Sequence, residues 1–170
     1  MVIVYRSNTG FTKQYAEMLG KAEKIKVYSL GQARELDQDT EVLFMGPLMA
    51  GHIAGVDQAV KQFRVKGVCG VGMSPASQQT LDTLAKANYV PNAPIFYLQG
   101  GWAPKQVGWI KRRMVNMVTR SMRQSLRAKG SRRTPEEQRQ LDFLEKGGSF
   151  VAFENLDAIR TWMKDLNKAI

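Results

Sequence analysis

The start of the chain constrains its fold more than any other segment, because it changes abruptly from a strand pattern to a helix pattern. Residues 2–5 form a continuous apolar run rich in β-branched side chains, which is typical of a strand buried on both faces. From there, apolar residues recur at helical spacing as Phe11, Tyr15, Met18 and Leu19. The chain is therefore predicted to begin with a buried strand that leads into an amphipathic helix.

The turn between this strand and this helix is rich in hydroxyl and amide side chains. It reads Ser7-Asn8-Thr9-Gly10-Phe11-Thr12. Such a turn directs unpaired backbone N–H groups and the positive end of a helix at one point, which favours an anion. The spacing differs from both the Gly-x-Gly-x-x-Gly pattern and the Gly-Lys-Ser/Thr ending of nucleotide-binding loops. We predict a site for one phosphate monoester, held mainly by neutral hydrogen bonds; the alternative is an ordinary helix N-cap.

The same residues carry a resemblance to a known family. With Ile3-Val4-Tyr5, Ala16 and Leu19, the loop matches the signature by which flavodoxins bind the phosphate of FMN. The chain therefore resembles the flavodoxin family, and this resemblance implies FMN as the cofactor. It assigns to the phosphate loop the residues Ser7, Asn8, Thr9, Gly10, Phe11 and Thr12.

Strand and helix patterns alternate five times, which predicts a parallel sheet with helices on both faces. The predicted strands are residues 2–5, 24–30, 41–46, 67–73 and 93–99, and residues 46–55 are expected to form a loop. A stripe of Leu156, Ile159, Trp162, Met163 and Leu166 marks the last helix. The expected fold is a flavodoxin-like three-layer α/β/α sandwich with a five-stranded parallel sheet of order 2-1-3-4-5. Residues 1–170 are expected to form a single domain.

Ligands of such sheets bind at the carboxyl ends of the strands, where the winding reverses. The resemblance places two loops beside the isoalloxazine ring of the flavin. The first contains Pro47, Leu48, Met49, Ala50 and Gly51, and the second contains Ser74 and Pro75. Neither loop holds the Trp or Tyr that electron-carrier flavodoxins commonly stack on the ring, an interaction of about 0.5–1.5 kcal/mol per face.

His52 follows the first of these loops and is the candidate catalytic residue. An imidazole beside the flavin or its substrate can exchange protons at physiological pH while electrons move. The alternative is a loop histidine that is hydrogen-bonded locally.

A basic insertion, residues 103–149, separates the fifth strand from the last helix. Its ten clustered cations, with no Asp or Glu among them, are Lys105, Lys111, Arg112, Arg113, Arg120, Arg123, Arg127, Lys129, Arg132 and Arg133. Without them, 15 basic residues balance 15 acidic ones, so this segment carries the net charge of +10.

Apolar residues at helical spacing between positions 107 and 126 predict a cationic amphipathic helix. It is expected either to cover the domain as a solvated face or to dock on an anionic membrane or an acidic protein. Nucleic acid is disfavoured, because only Trp109 is suited to base stacking.

An insertion at this place also occurs in the quinone-dependent protoporphyrinogen dehydrogenases, a family of flavodoxin-like bacterial enzymes. The resemblance rests on the pair Gly51-His52 and on the Trp-containing basic segment after the fifth strand. It implies an FMN-dependent oxidoreductase that passes electrons to a quinone. The alternative is a flavodoxin-type electron carrier that docks on a protein partner through its basic segment.

Composition supplies the remaining expectations. Hydrophobic residues make up 44% of the 170 residues, and no apolar run approaches membrane-spanning length. We expect a cytoplasmic protein, with the inner face of the membrane as a second location. Cys69 lies in an apolar run and is expected to be buried. One histidine and one cysteine far apart in sequence predict no metal site.

Overall fold

The computed structural model describes residues 1–168, apart from the side chains of Lys111, Met114, Val118 and Asn167. The chain divides into two compact units. The first unit comprises Met1–Gly100 and Phe150–Ile170, and the second unit is Gly101–Ser149. Each unit is described by itself below.

The first unit contains a mostly parallel sheet. Its strands are β1 Val2–Tyr5, β2 Val27–Ser29, β3 Glu41–Met49, β4 His52–Ile53, β5 Arg64–Gly72 and β6 Ile95–Gln99. Five strands run parallel in the order β2-β1-β3-β5-β6, and the short β4 pairs antiparallel with the end of β3. Counted along the chain without β4, this order is 2-1-3-4-5. The predicted flavodoxin-like fold is therefore confirmed.

Helices cover both faces of this sheet. The helices of the chain are α1 Phe11–Glu23, α2 Val56–Gln62, α3 Gln78–Ala87, α4 Trp109–Val118, α5 Arg120–Ala128, α6 Pro135–Lys146 and α7 Asp157–Lys168. One buried cluster joins the sheet to α1 and α7 through Leu19 and Ile159. A second cluster joins the other face to α2 and α3 through Ala59 and Leu84. Cys69 is buried in the first of these clusters, as predicted.

The segment after the third strand corrects the sequence prediction. Residues 46–55 were expected to form a loop, but β3 continues to Met49 and turns back as β4. Ala50 and Gly51 connect the two strands with φ values of 50° and 83°, as a two-residue type I′ hairpin turn requires. Alanine rarely adopts a positive φ, so the pair Ala-Gly lacks the usual sequence signal of this turn.

The second unit contains α4, α5, α6 and a short antiparallel pair, β7 Gly101–Trp102 with β8 Gly148–Ser149. The helical pattern predicted from position 107 to 126 is divided between α4 and α5 at Thr119. Its hydroxyl donates a hydrogen bond of 2.7 Å to the carbonyl oxygen of Val115, a contact that often bends helices. Every helix described within residues 1–168 is too short or too polar to span a bilayer.

Candidate functional site

The phosphate loop lies between β1 and α1, at the carboxyl edge of the sheet. Gly10 has a φ of 88°, and its N–H donates a hydrogen bond of 3.1 Å to the hydroxyl oxygen of Ser7. Gly10 is also the N-cap of α1 and provides no side-chain cap. The backbone N–H groups in the first turn of α1 therefore lack a capping partner, and this turn suits an anion.

Thr12 lies in that first turn and is 2% exposed. Its hydroxyl makes no hydrogen bond to any part of the chain that the structure describes. The hydroxyl oxygen is not among the fully buried unpaired atoms of the described residues, so it can reach a ligand, and its place in an anion-binding turn suits a donor to a bound phosphate.

A cleft of about 560 Å³ adjoins the phosphate loop. Ser7, Asn8 and Gly10 line it, whereas Thr9, Phe11 and Thr12 do not. Three cations also line it: Arg6, Lys13 and Arg34. The sequence prediction of a site with mainly neutral donors did not anticipate these charges. Arg34 follows β2, and the sheet order brings that strand beside β1.

The hairpin of β3 and β4 holds the residues that were assigned to the first flavin loop. Pro47, Leu48 and Met49 belong to β3, and Ala50 and Gly51 form its turn. The amide nitrogen of Asn8 lies 3.6 Å from the sulfur of Met49, so the phosphate loop and the hairpin are in contact. A second cleft, of about 260 Å³, lies between the hairpin and α3 and is lined by Leu48, Gly51, Gln79, Thr80, Thr83 and Leu84.

Asn88, at the end of α3, fixes the position of this hairpin and was missed by the sequence analysis. Its side chain is 3% exposed and makes three hydrogen bonds. Oδ1 accepts from the N–H of Ile53 at 2.7 Å, and Nδ2 donates to the carbonyl oxygens of Gly51 and Leu84, both at 2.9 Å. No local sequence signal distinguishes it from any asparagine that ends a helix.

The loop with Ser74 and Pro75 is held by the neighbouring strand β6. The hydroxyl of Tyr97 donates a hydrogen bond of 2.7 Å to the carbonyl oxygen of Ser74. Gln99 Nε2 donates to the carbonyl oxygen of Met73 at 3.2 Å. Burial raises the pKa of Tyr97 to about 12, so its hydroxyl stays protonated and remains a donor. Ser74 and Pro75 themselves are exposed.

His52 is exposed and lies on β4, on a third cleft of about 210 Å³ that Val56, Asp57, Lys61 and Asn88 also line. This cleft shares no lining residue with the one at the phosphate loop. The structure therefore brings the phosphate loop and the hairpin together; His52 belongs to that hairpin, paired with Met49, and lines the third cleft rather than the cleft at the phosphate loop. Its catalytic role stays a prediction.

Among the residues that the structure describes, no group of His, Cys, Asp and Glu is placed to hold a metal ion.

The second unit contains 12 Lys and Arg residues against four Asp and Glu residues. Two of its cations are paired by acids of α6: Arg127 with Glu145 at 2.7 Å, and Lys129 with Glu137. Of the side chains that the structure describes, Arg112, Arg113 and Arg120 have no acidic partner. Arg112 and Arg113 lie on α4, which also exposes Trp109, Ile110 and Met117 to 73%, 57% and 71%.

No protein-family model matches the chain, and a search of the curated proteins finds no match. Two solved structures are similar to part of it. A flavoprotein candidate from Bacteroides eggerthii is 15% identical, with a TM-score of 0.36 over 69% of this chain and 95% of that one. A flavodoxin from the domain Archaea is 18% identical, with a TM-score of 0.29 over 56% of this chain and 81% of that one. Both TM-scores are low, and the fold assignment rests on this chain's own strand order.

Proposed function

We propose that the protein binds FMN at the phosphate loop and uses it as a redox cofactor. The observation that carries the proposal is the first turn of α1, which follows the N-cap Gly10, has no side-chain cap and contains the Thr12 hydroxyl without a described protein partner. These groups would hold the phosphate. A bound flavin supplies the electron transfer, and the protein supplies position and charge.

The same proposal places the flavin ring against the hairpin and the loop of Ser74 and Pro75. The hairpin is formed by the end of β3, which neighbours β1, and the loop of Ser74 and Pro75 follows β5, which neighbours β3. Both lie at the carboxyl ends of parallel strands, where ligands of such sheets bind. Met49 is 40% exposed and touches Asn8 of the phosphate loop. A thioether there offers a polarisable contact to an aromatic ring in place of an aromatic side chain.

Thr12→Val is expected to weaken FMN binding by about 1.5–3 kcal/mol, or about 10- to 150-fold, because a hydrogen bond to a charged acceptor is lost. Fluorescence titration of the apoprotein measures the change. Thr161→Val, at an exposed position of α7, is the matched control and should leave the affinity unchanged. Riboflavin lacks the phosphate and should bind far more weakly than FMN; equal affinities would show that the loop is not a phosphate site.

For the reaction, we propose an FMN-dependent oxidoreductase that passes electrons to a quinone, as the resemblance to protoporphyrinogen dehydrogenases implies. The flavin loops lack the aromatic residues common in electron-carrier flavodoxins, which favours the enzyme over the carrier. The purified holoprotein should then oxidise protoporphyrinogen with a quinone and no other protein. Absence of turnover would favour the carrier.

If His52 moves protons in that reaction, His52→Ala should slow turnover and flatten its dependence on pH between about 5 and 8. The side chain is exposed, so its removal should leave the melting temperature unchanged. If His52→Ala shows the same dependence of rate on pH as the natural chain, His52 does not transfer protons in the reaction.

We propose as a second function that the second unit docks on an anionic membrane surface. Trp109 and Met117 are eight positions apart on α4, with Arg113 midway, so the three side chains share one face of the helix. This face combines exposed apolar side chains with an unpaired cation, as interfacial helices do. An acidic protein partner is the competing occupant.

A further inference from the structure

Tyr15 connects the helix of the phosphate-binding turn to the end of a distant strand. It lies on α1, three positions after Thr12, and is fully buried. Its hydroxyl donates a hydrogen bond of 2.6 Å to the carbonyl oxygen of Gln99, the last residue of β6, and makes a longer contact of 3.3 Å with that of Phe150. The same hydroxyl accepts a hydrogen bond of 2.6 Å from Nδ2 of Asn155. Because Asn155 supplies the donor, the proton of Tyr15 is directed mainly at Gln99.

Gln99 carries this connection on to the loop at Ser74. Its Nε2 donates a hydrogen bond of 3.2 Å to the carbonyl oxygen of Met73. The next residue, Gly100, donates its N–H to the carbonyl oxygen of Gly72 at 2.7 Å. A chain of hydrogen bonds therefore runs from α1, through the end of β6, to the two residues that precede Ser74.

The first turn of α1 also packs directly on the end of β6. A Cβ atom at Gly100 would lie 3.2 Å from the Cβ of Phe11 and 2.7 Å from Cγ1 of Val71. Both distances are shorter than ordinary contacts between carbon atoms, so glycine permits a closer approach than any other residue would. The separation between the phosphate-binding turn and the loop at Ser74 is thus held by a close contact and by the buried hydrogen bond of Tyr15.

We infer that Tyr15 is a positioning residue of the flavin site, and that it sets the spacing between the subsite for the phosphate and the subsite for the ring. The inference rests on the proposed FMN binding and extends it. FMN carries its phosphate and its ring on one molecule, so both ends bind at full strength only when the two subsites are correctly spaced. Riboflavin and inorganic phosphate each fill one subsite alone, and their binding does not depend on this spacing.

Tyr15→Phe tests the inference, because it keeps the buried ring and removes only the hydroxyl. We expect it to weaken FMN binding about three- to tenfold, the range of a neutral hydrogen bond, and to change riboflavin and phosphate binding less than about twofold. Fluorescence titration of the apoprotein measures both flavins, and competition with FMN measures inorganic phosphate. A purely structural role would not separate FMN from its two parts.

Two further variants complete the test. Asn155→Asp keeps the shape of an exposed side chain but replaces its donor by an acceptor, which draws the proton of Tyr15 away from Gln99. It should reproduce the selective loss of FMN affinity, and it serves as the test if Tyr15→Phe does not fold. Tyr28→Phe is the matched control, because this hydroxyl on β2 makes no hydrogen bond within the described part of the chain. It should leave all three affinities unchanged.

Two results would overturn the inference while leaving the FMN proposal intact. The first is an unchanged affinity for FMN in both Tyr15→Phe and Asn155→Asp. The second is a loss of FMN affinity that riboflavin or phosphate shares equally, because the hydroxyl would then support one subsite and not the spacing between the two. If the natural chain binds riboflavin as tightly as FMN, the proposed phosphate site itself is wrong, and this inference fails with it.

Discussion

Asn88→Ala is expected to lower the free energy of unfolding by about 2–4 kcal/mol, the largest effect of any single polar substitution proposed for this chain. The substitution leaves a buried N–H of Ile53 and a carbonyl oxygen of Gly51 without their partners. The buried N–H left unsatisfied costs about 1–3 kcal/mol, and the part-buried carbonyl oxygen adds a smaller loss. Urea denaturation of the apoprotein, followed by circular dichroism, measures the change.

The same substitution should weaken flavin binding, because Asn88 holds the hairpin on which the ring is proposed to rest. Gln38→Ala removes an exposed amide in the connection before β3 and is the control, with an expected change within about 0.5 kcal/mol. Thr12→Val should weaken flavin binding without a comparable loss of stability. An Asn88→Ala protein as stable as the control would mean that the hairpin does not depend on this side chain.

Local patterns were sufficient to predict most of the fold. The change of period between Tyr5 and Phe11 predicted the first strand and helix, and the apolar stripe predicted α7. The hairpin was missed because Ala50 takes a positive φ that its own sequence does not suggest. Helix α2 packs through Val56 and Ala59, and its other valine, Val60, is 43% exposed.

The candidate site was predictable only where its residues are contiguous. Ser7 to Thr12 form one turn, so their shared position follows from the sequence alone. Arg34 reaches the same cleft only because β2 lies beside β1, and Asn88 reaches the hairpin across 35 positions. Likewise, the acids that pair Arg127 and Lys129 come from α6, later in the chain. A run of cations without nearby acids in sequence therefore overstated the number of unpaired charges.

Binding to anionic vesicles is the second large effect that we expect, and it should depend on the cations of α4 and of the start of α5. The triple variant Arg112→Gln/Arg113→Gln/Arg120→Gln should lose about 3 kcal/mol of binding, because each cation near an anionic surface contributes about 1 kcal/mol. Co-sedimentation with phosphatidylserine-containing vesicles measures it. Arg127→Gln is the matched control, since Glu145 already pairs that charge at 2.7 Å and its loss should matter less.

Substitution of the exposed apolar side chains of α4 can distinguish a bilayer from an acidic protein as the binding partner. Trp109 and Met117 are 73% and 71% exposed, so their burial among lipid headgroups would add a contribution that salt does not screen. Trp109→Ser/Met117→Ser should therefore reduce vesicle binding even at high salt, whereas charge variants act mainly at low salt. If this double variant binds vesicles as well as the natural chain, attraction is by charge alone and an acidic protein fits equally well. If the natural chain does not bind anionic vesicles at low salt, the membrane proposal is wrong. The second unit would then either bind an acidic protein partner or present its cations to solvent only.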